Sequence, residues 1–546
     1  MQPFGFLVRN RRGAPCLGTG LKTRGDYELP RRHNKSKDLW PVRLRRAAHT
    51  FHRQLLFSTY SSIRNIQGDF LRGIVAAGMG RRAKREGVPY DMSMCEAMRQ
   101  MPASAGRVPE AGGEAARART SDEALRPCHE TGSTGSALLL AALTRENLQQ
   151  AWKRVKANKG AAGVDGRDIP GTARYLQTGW PEIREQLLQG TYRPSPVRRV
   201  MIPKPDGGER ELGIPTVTDR LIQQALLQVL QPILDPTFSE YSFGFRPGRS
   251  AQEAVVRAQA YVQSGRRIVV DVDLEKFFDR VNHDILIDRL QKRLGDAGII
   301  RLIRGYLNSG IMRDGIVQSR HQGTPQGGPL SPLLANVLLD EVDQELERRG
   351  HCFVRYADDA NVYVRSLRAG ERVMALLRRM YAKLGLTVNE TKSAVASAFG
   401  RKFLGFSFWL APRGEIKCGV AAKPMATYKQ RIRQLTRRSG GRSMAEVVER
   451  LRPYVLGWKA YFRLSQTPKI WRTLDEWMRH RLRAIQLKHW KRGSTMYREL
   501  KALGASETVA RRVAGNARSW WRNAYRLINS VLTIAYFDRL GVPRLS

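Results

Sequence analysis

Two adjacent carboxylates, Asp358 and Asp359, stand between two short apolar stretches, Cys352-Phe353-Val354-Arg355 and Asn361-Val362-Tyr363-Val364. That pattern predicts a β-hairpin whose turn presents acidic side chains at one edge of a sheet. Well upstream, Ile268-Val269-Val270-Asp271-Val272-Asp273 reads as a buried strand that delivers a further carboxylate at its end. Side chains alternate along a strand, so Asp271 and Asp273 share a face, and spacing alone leaves open which of them would bind metal. Three clustered carboxylates repel one another and raise each other's pKa values. Divalent cations that take oxygen ligands, such as Mg²⁺, neutralise such a cluster. Two of them about 3.5–4 Å apart clamp the attacking and leaving oxygens of an in-line phosphoryl transfer. The chemistry expected is that of a polymerase.

Elements must bring these acids together. Leu148, Ala151, Trp152 and Val155 follow helical spacing, and the glycine-rich run from Lys159 to Gly166 ends that helix. Residues 198–215 read as a hairpin turning at Asp206-Gly207-Gly208, with Lys204 and Arg210 near each other on its two strands. Asp219 to Leu230 form a helix with Leu221, Ile222, Ala225, Leu226 and Val229 on one face. After Thr324-Pro325-Gln326-Gly327-Gly328-Pro329-Leu330, Ser331 and Pro332 predict the capped start of a helix striped by Leu333, Leu334, Val337, Leu338 and Val342. His283 has no partner by spacing and is expected to be structural.

Asp273 with Phe278 five positions on, the Thr324–Pro332 segment and Tyr356-Ala357-Asp358-Asp359 resemble the palm of a reverse transcriptase. From about Leu143 onward, the chain is similar to group II intron-encoded reverse transcriptase/maturases. That resemblance implies an α+β right-hand polymerase with fingers (136–250), palm (251–412) and a thumb and maturase region (413–546). It selects Asp273 over Asp271, because the family's aromatic falls five residues after the metal ligand. It implies two Mg²⁺ ions held by Asp273, Asp358 and Asp359. Phe278 would exclude a ribose 2′-hydroxyl by steric bulk. Lys204 and Arg210 would contact the incoming dNTP, a point charge and a bidentate fork both suited to phosphate. Gln326 would hydrogen-bond nucleotide or template, and Lys392 would act near the leaving pyrophosphate. Arg246 and Arg249, in Ser242-Phe243-Gly244-Phe245-Arg246-Pro247-Gly248-Arg249, would grip template phosphates. Gly327 and Gly328 would let the backbone approach the nascent base pair. Phe403 and Gly405, in Phe403-Leu404-Gly405-Phe406, would support the primer end.

Composition agrees with a polyanionic partner. The 546 residues carry 94 Lys/Arg against 49 Asp/Glu, a formal charge of +45 that self-repels unless nucleic acid is bound. From Ala411 to Ser546, 30 basic residues face 8 acidic ones, interleaved with Trp458, Tyr461, Phe462, Trp471, Trp477, Trp490, Trp520 and Trp521. Helical stripes pack inward, so most of these aromatics are expected in a core, with arginines on the outer faces meeting RNA phosphates. Tyr454–Arg463 resembles the maturase domain, which implies binding of the parent intron RNA and assistance to its splicing. The other partners implied are an RNA template, a DNA primer or target DNA, and dNTPs.

No apolar run approaches the ~18 residues of a bilayer span, so no membrane partner and a cytoplasmic location are expected. The five cysteines form no Cys-x-x-Cys pair. The type without a C-terminal endonuclease domain is therefore expected. Residues 1–135 mix Arg clusters with Gly, Ala, Ser and Pro and are expected to be a disordered basic extension, either an RNA-binding arm or upstream intron translated in frame. Oligomeric state is not legible. Three rivals remain: an RNA-binding splicing cofactor without polymerase activity, another bacterial reverse transcriptase (retron or CRISPR-associated), and an RNA-templated RNA polymerase. The three acids, the maturase-like tail and Phe278 respectively disfavour them.

Overall fold

The computed structural model describes residues 137–203, 208–313, 315–525 and 527–546. Lys204, the Asp206-Gly207 part of the expected turn and residues 1–135 lie outside the described residues. Helices α1 (Ala137–Ala142), α2 (Arg145–Asn158) and α3 (Ile169–Gln189) lead to the hairpin β1 (Val197–Pro203) and β2 (Glu209–Ile214), and then to α4 (Val217–Leu234). α5 (Ala251–Gln263) precedes β3 (Ile268–Val272), followed by α6 (Phe277–Arg280), α7 (His283–Gln291) and α8 (Ala297–Asn308). Next come β4 (Ile311–Arg313), β5 (Ile316–Gln318) and the long α9 (Ser331–Arg348). The hairpin β6 (Cys352–Tyr356) and β7 (Asp359–Val364), α10 (Leu367–Lys383) and β8 (Ala394–Ser397) complete this region.

The fold is mixed α and β, as expected. β6-β7-β3-β8 form one antiparallel sheet, with Val270 opposite Val362 and Val354 opposite Asn361. Its two faces enter different cores because strand side chains alternate. Val270, Val272, Phe353, Val362 and Val364 join a cluster with α1–α4 and α7–α10. Val269, Val354 and Tyr363 join a second cluster with α5 and the C-terminal helices. A sheet buried on both faces reads as a continuous apolar run, which is why Asp271 stands out within β3.

β9 (Lys402–Phe403), β10 (Phe406–Leu410) and β11 (Ile416–Val420) make a small antiparallel sheet. Among the described residues, the elements that follow are the helices α11 (Ala422–Leu435), α12 (Met444–Tyr461), α13 (Pro468–Trp490), α14 (Gly493–Ala502), α15 (Glu507–Gly515), α16 (Trp520–Asn523) and α17 (Ile534–Arg539). Their core is aromatic: Trp458 lies 4.5 Å from Tyr428, 4.8 Å from Phe462 and 5.3 Å from Trp471, centroid to centroid. Trp521, by contrast, is exposed. No described helix is long and apolar enough to cross a membrane.

Two local expectations change. Ser331 does not cap α9: the helix begins at Ser331, and its hydroxyl donates to the Pro325 carbonyl at 2.8 Å, bracing the preceding glycine-rich loop. His283 is buried and does have partners, Asn308 Oδ1 at 3.1 Å and the Gly323 carbonyl at 2.7 Å. Both contacts are structural, as its expected role required.

Candidate active site

β6 and β7 close on the pair Tyr356 and Asp359, which leaves Ala357 and Asp358 as the entire turn. Ala357 takes φ 59°, a left-handed conformation that costs a side chain with a Cβ. Asp273 follows β3, whose last pair with β7 is Val272 opposite Ala360. The ladder therefore carries Asp273 toward Asp359. The Asn389–Ser393 loop wraps the same residue: Ser393 Oγ accepts from the Asp273 amide at 3.0 Å, and the Asn389 amide donates to its carbonyl at 2.8 Å.

The acids lie in one another's field. Burial, and then the charges of Asp271, Asp358 and Asp273, push the Asp359 carboxyl up to about 7. Asp358 is also raised, by burial first and Asp273 next, while Arg210 and Arg355 oppose the shift. Burial raises Asp271 against the pull of Arg401, whose guanidinium donates to its carboxylate at 2.6 Å. Lys392 Nζ stands 3.4 Å from Asp273 Oδ2. Among the described residues, no group of three or more His, Cys, Asp or Glu side chains is arranged to hold a metal ion. The carboxylates share a field without forming a finished ligand shell.

The other expected residues differ in exposure and contacts. Phe277 is buried in the core, and half-buried Phe278 meets it edge-on at 5.0 Å. Phe277 is enclosed by the core, whereas Phe278 packs against it and stays partly exposed. Arg210 is exposed on β2, opposite Ile202. The Gln326 carbonyl accepts from the Gly213 amide at 3.0 Å, which ties the glycine-rich loop to β2. Gly327 is exposed at φ 138°, a backbone state that L side chains rarely adopt. Arg249 is half-buried, with one donor on the Glu240 carbonyl at 3.2 Å.

Three expectations need correction. Arg246 cannot grip template phosphates as it stands: it is 7% exposed, and its guanidinium is held by the Asp235 carboxylate at 3.0 Å, the Asp235 carbonyl at 2.8 Å and the Ser242 carbonyl at 3.0 Å. Phe403 is buried against the second core and offers no face to a primer. Gly328 is buried and faces Gln223, whose Oε1 would lie 2.5 Å from an added Cβ, so packing rather than nucleic acid requires that glycine. Gly405 does sit in a tight turn with Leu404, at φ 83° and 49°, beneath the Phe462 ring.

The spacing argument missed two groups. Arg401 neutralises Asp271 and also donates to the Lys392 carbonyl at 3.2 Å, tying the fourth acid to the lysine loop. Arg355 is 1% exposed directly behind the acidic turn. A charged residue inside an apolar strand was the available signal for the second; no sequence signal pairs Arg401 with Asp271.

Residues 202–408 match the family model described as reverse transcriptase (RNA-dependent DNA polymerase). Residues 425–504 match that of the group II intron maturase-specific domain. Protein YkfC of Escherichia coli K12 is 37% identical over 218 residues, which cover 39% of this chain and 57% of that one. The group II intron-encoded protein LtrA of Lactococcus lactis is 37% identical over 195 residues, 36% of this chain and 32% of that one. The retron Mx65 reverse transcriptase of Myxococcus xanthus is 32% identical over 206 residues, 36% of this chain and 46% of that one. The chain thus spans between about a third and somewhat over half of the length of these relatives. The maturase-specific match follows the reverse transcriptase match in the chain. The chain thus carries a reverse transcriptase domain followed by a group II intron maturase-specific domain, and its relatives include proteins named as group II intron-encoded.

Proposed function

We propose that the protein is an RNA-directed DNA polymerase that also binds its parent group II intron RNA and assists splicing. The observation that carries this reading is the meeting of Asp358, in the two-residue turn, and Asp359, at the start of β7, with the field of Asp273 from the neighbouring strand. A reverse transcriptase domain works with divalent cations. The donor set fits them: every ligand is a carboxylate oxygen, and burial with mutual repulsion leaves the cluster short of positive charge. Asp273, Asp358 and Asp359 would hold two Mg²⁺ ions. When bound, these would supply charge neutralisation and polarisation of the α-phosphate.

The chain's own residues do the rest. Arg210, with Lys204, binds the triphosphate of a dNTP as the primer 3′-hydroxyl attacks the α-phosphate and pyrophosphate leaves. Lys392 exchanges its ion pair with Asp273 for the departing pyrophosphate, so one cation serves both states. Phe278 closes the space that a ribose 2′-hydroxyl would need, and Gly327 offers backbone to the nascent pair. The arginines of α11–α17 neutralise intron phosphates. Asp358→Asn tests the assignment, by primer extension on an RNA template. Synthesis should fall at least about 1000-fold, since the lost charge is worth several kcal/mol at the transition state. Binding to the flanking intron RNA should stay within about twofold. Synthesis within tenfold of the parent protein would remove Asp358 from the site.

A further inference from the structure

Behind the acidic turn lies a buried polar assembly that no step above uses. Arg355, near the end of β6, donates through Nε and Nη2 to both oxygens of Asp343 on α9, at 2.6–2.9 Å. Its Nη1 donates to Asn336 Oδ1, also on α9, at 2.9 Å, and to the Ala357 carbonyl at 3.0 Å. Asn336 in turn donates to the Gly244 carbonyl at 2.9 Å. Arg355, Asn336 and Asp343 are each 1% exposed or less. The backbone of the 242–244 segment presses on the turn from the same side. Phe243 N donates to the Arg355 carbonyl at 2.8 Å, and a Cβ at Gly244 would come within 2.2 Å of the Ala357 amide nitrogen.

We propose that Arg355 is a positioning residue that sets the aim of Asp358. With Asp343 and Asn336 it locks the Ala357 carbonyl, and so holds the turn in its strained left-handed state. The inference rests on the polymerase reading of the same site. An alanine at φ 59° relaxes toward extended or helical backbone unless its surroundings over-determine it. Here one guanidinium fork fixes the carbonyl of that alanine to a rigid helix, and the Gly244 backbone packs tightly against its amide nitrogen. Asp358 is the next residue, so any rotation about Ala357 swings its carboxylate directly. The glycine-rich loop enters the same α9 that carries Asn336 and Asp343. The clamp therefore references the loop, the 242–244 segment and the acidic turn to one helix. A planar fork is required: lysine could keep the charge pair with Asp343 but could not also reach Asn336 and the Ala357 carbonyl.

The test uses the full chain and two readouts, Mn²⁺ binding by electron paramagnetic resonance in the absence of substrates, and steady-state primer extension. Arg355→Lys should keep the thermal unfolding temperature near that of the parent yet weaken Mn²⁺ binding about tenfold. Its kcat should fall about ten- to a hundredfold with the KM for dNTP little changed. The paired change Arg355→Met with Asp343→Leu, which removes both buried charges, should fold and show the same loss. Where an Arg355 variant fails to fold, Asn336→Ala decides the matter, with Ala357→Gly beside it. The glycine removes the left-handed penalty and keeps the carbonyl that Arg355 holds, so it should unfold no earlier than the parent, bind Mn²⁺ no more weakly, and recover part of the affinity lost when combined with Arg355→Lys. Folded Arg355 or Asn336 variants that bind Mn²⁺ and extend primers like the parent would reduce Arg355 to a core brace and overturn the proposal. A parent protein that neither binds Mn²⁺ nor extends primers would instead overturn the polymerase reading on which it rests.

Discussion

At the scale of single residues, neighbouring side chains of one type have separate tasks. Phe277 is 3% exposed and completes a core, whereas Phe278 is half-buried as it packs against that core. Phe278→Ala should cost less stability than the ~3–5 kcal/mol of a fully buried phenylalanine, because the ring is only half-buried against the core. It should raise the efficiency of rNTP incorporation relative to dNTP by at least about tenfold, as removal of a steric clash of ~1.4 kcal/mol or more would do. Competitive incorporation by primer extension checks this, and an unchanged ratio would deny Phe278 the sugar-sensing role. The four acids divide similarly: Asp271 is already paired with Arg401, while Asp359 stays pushed up to about 7 by burial and its acidic neighbours.

At the scale of elements, the arginine in a conspicuous motif is structural and a quieter one nearby is more accessible. Arg246 spans the 3-10 turn Asp235–Thr237 and the 239–242 backbone, with Asp235 as its counter-ion. Removing one member of a mostly buried pair strands the other, at about 3–5 kcal/mol for a fully buried case. Arg246→Ala should therefore lower the unfolding temperature by several degrees, while affinity for a primer–template at low salt, measured on folded protein, changes less than about threefold. Calorimetry with a binding titration separates the two. A large affinity loss at unchanged stability would return Arg246 to the nucleic-acid contacts. The hairpin β9–β10 makes the same point, since Phe403 fills a core and Gly405 lets Phe462 close over the turn.

At the scale of the whole molecule, charge decides behaviour more than any single contact. The excess of +45 has its densest share after Ala411, where α11–α17 pack most of their aromatics against a core and leave many arginines exposed. Binding to intron RNA should fall linearly in log affinity against log salt, with a slope near −0.7 per neutralised phosphate on single-stranded segments. At that slope, six to ten contacts would cost roughly 300-fold to 10⁴-fold between 50 and 200 mM salt. Replacing exposed Arg437, Arg438 and Arg450 together by Gln should flatten that slope by about two units while primer extension on a short RNA template persists. Filter binding across a salt series measures it, and an unchanged slope would place the intron elsewhere on the protein.

The order of chemistry-bearing segments, the hairpin that carries Asp358 and Asp359, the strand that leads to Asp273 and the helical, basic tail were all legible in the chain, because period, turn residues and charge are local properties. Local pattern could not tell Arg246 from Arg249, Phe277 from Phe278, or Gly327 from Gly328. Each pair shares residue type and setting, and differs only in what distant segments place against it. The tie from Arg401 to Asp271 joins residues far apart in the chain, and the fork of Arg355 on Asp343, Asn336 and Ala357 joins a strand, a helix and a turn. Such contacts exist only once the sheet has packed on α9, since a buried hydrogen bond is defined by its partner and not by its own sequence.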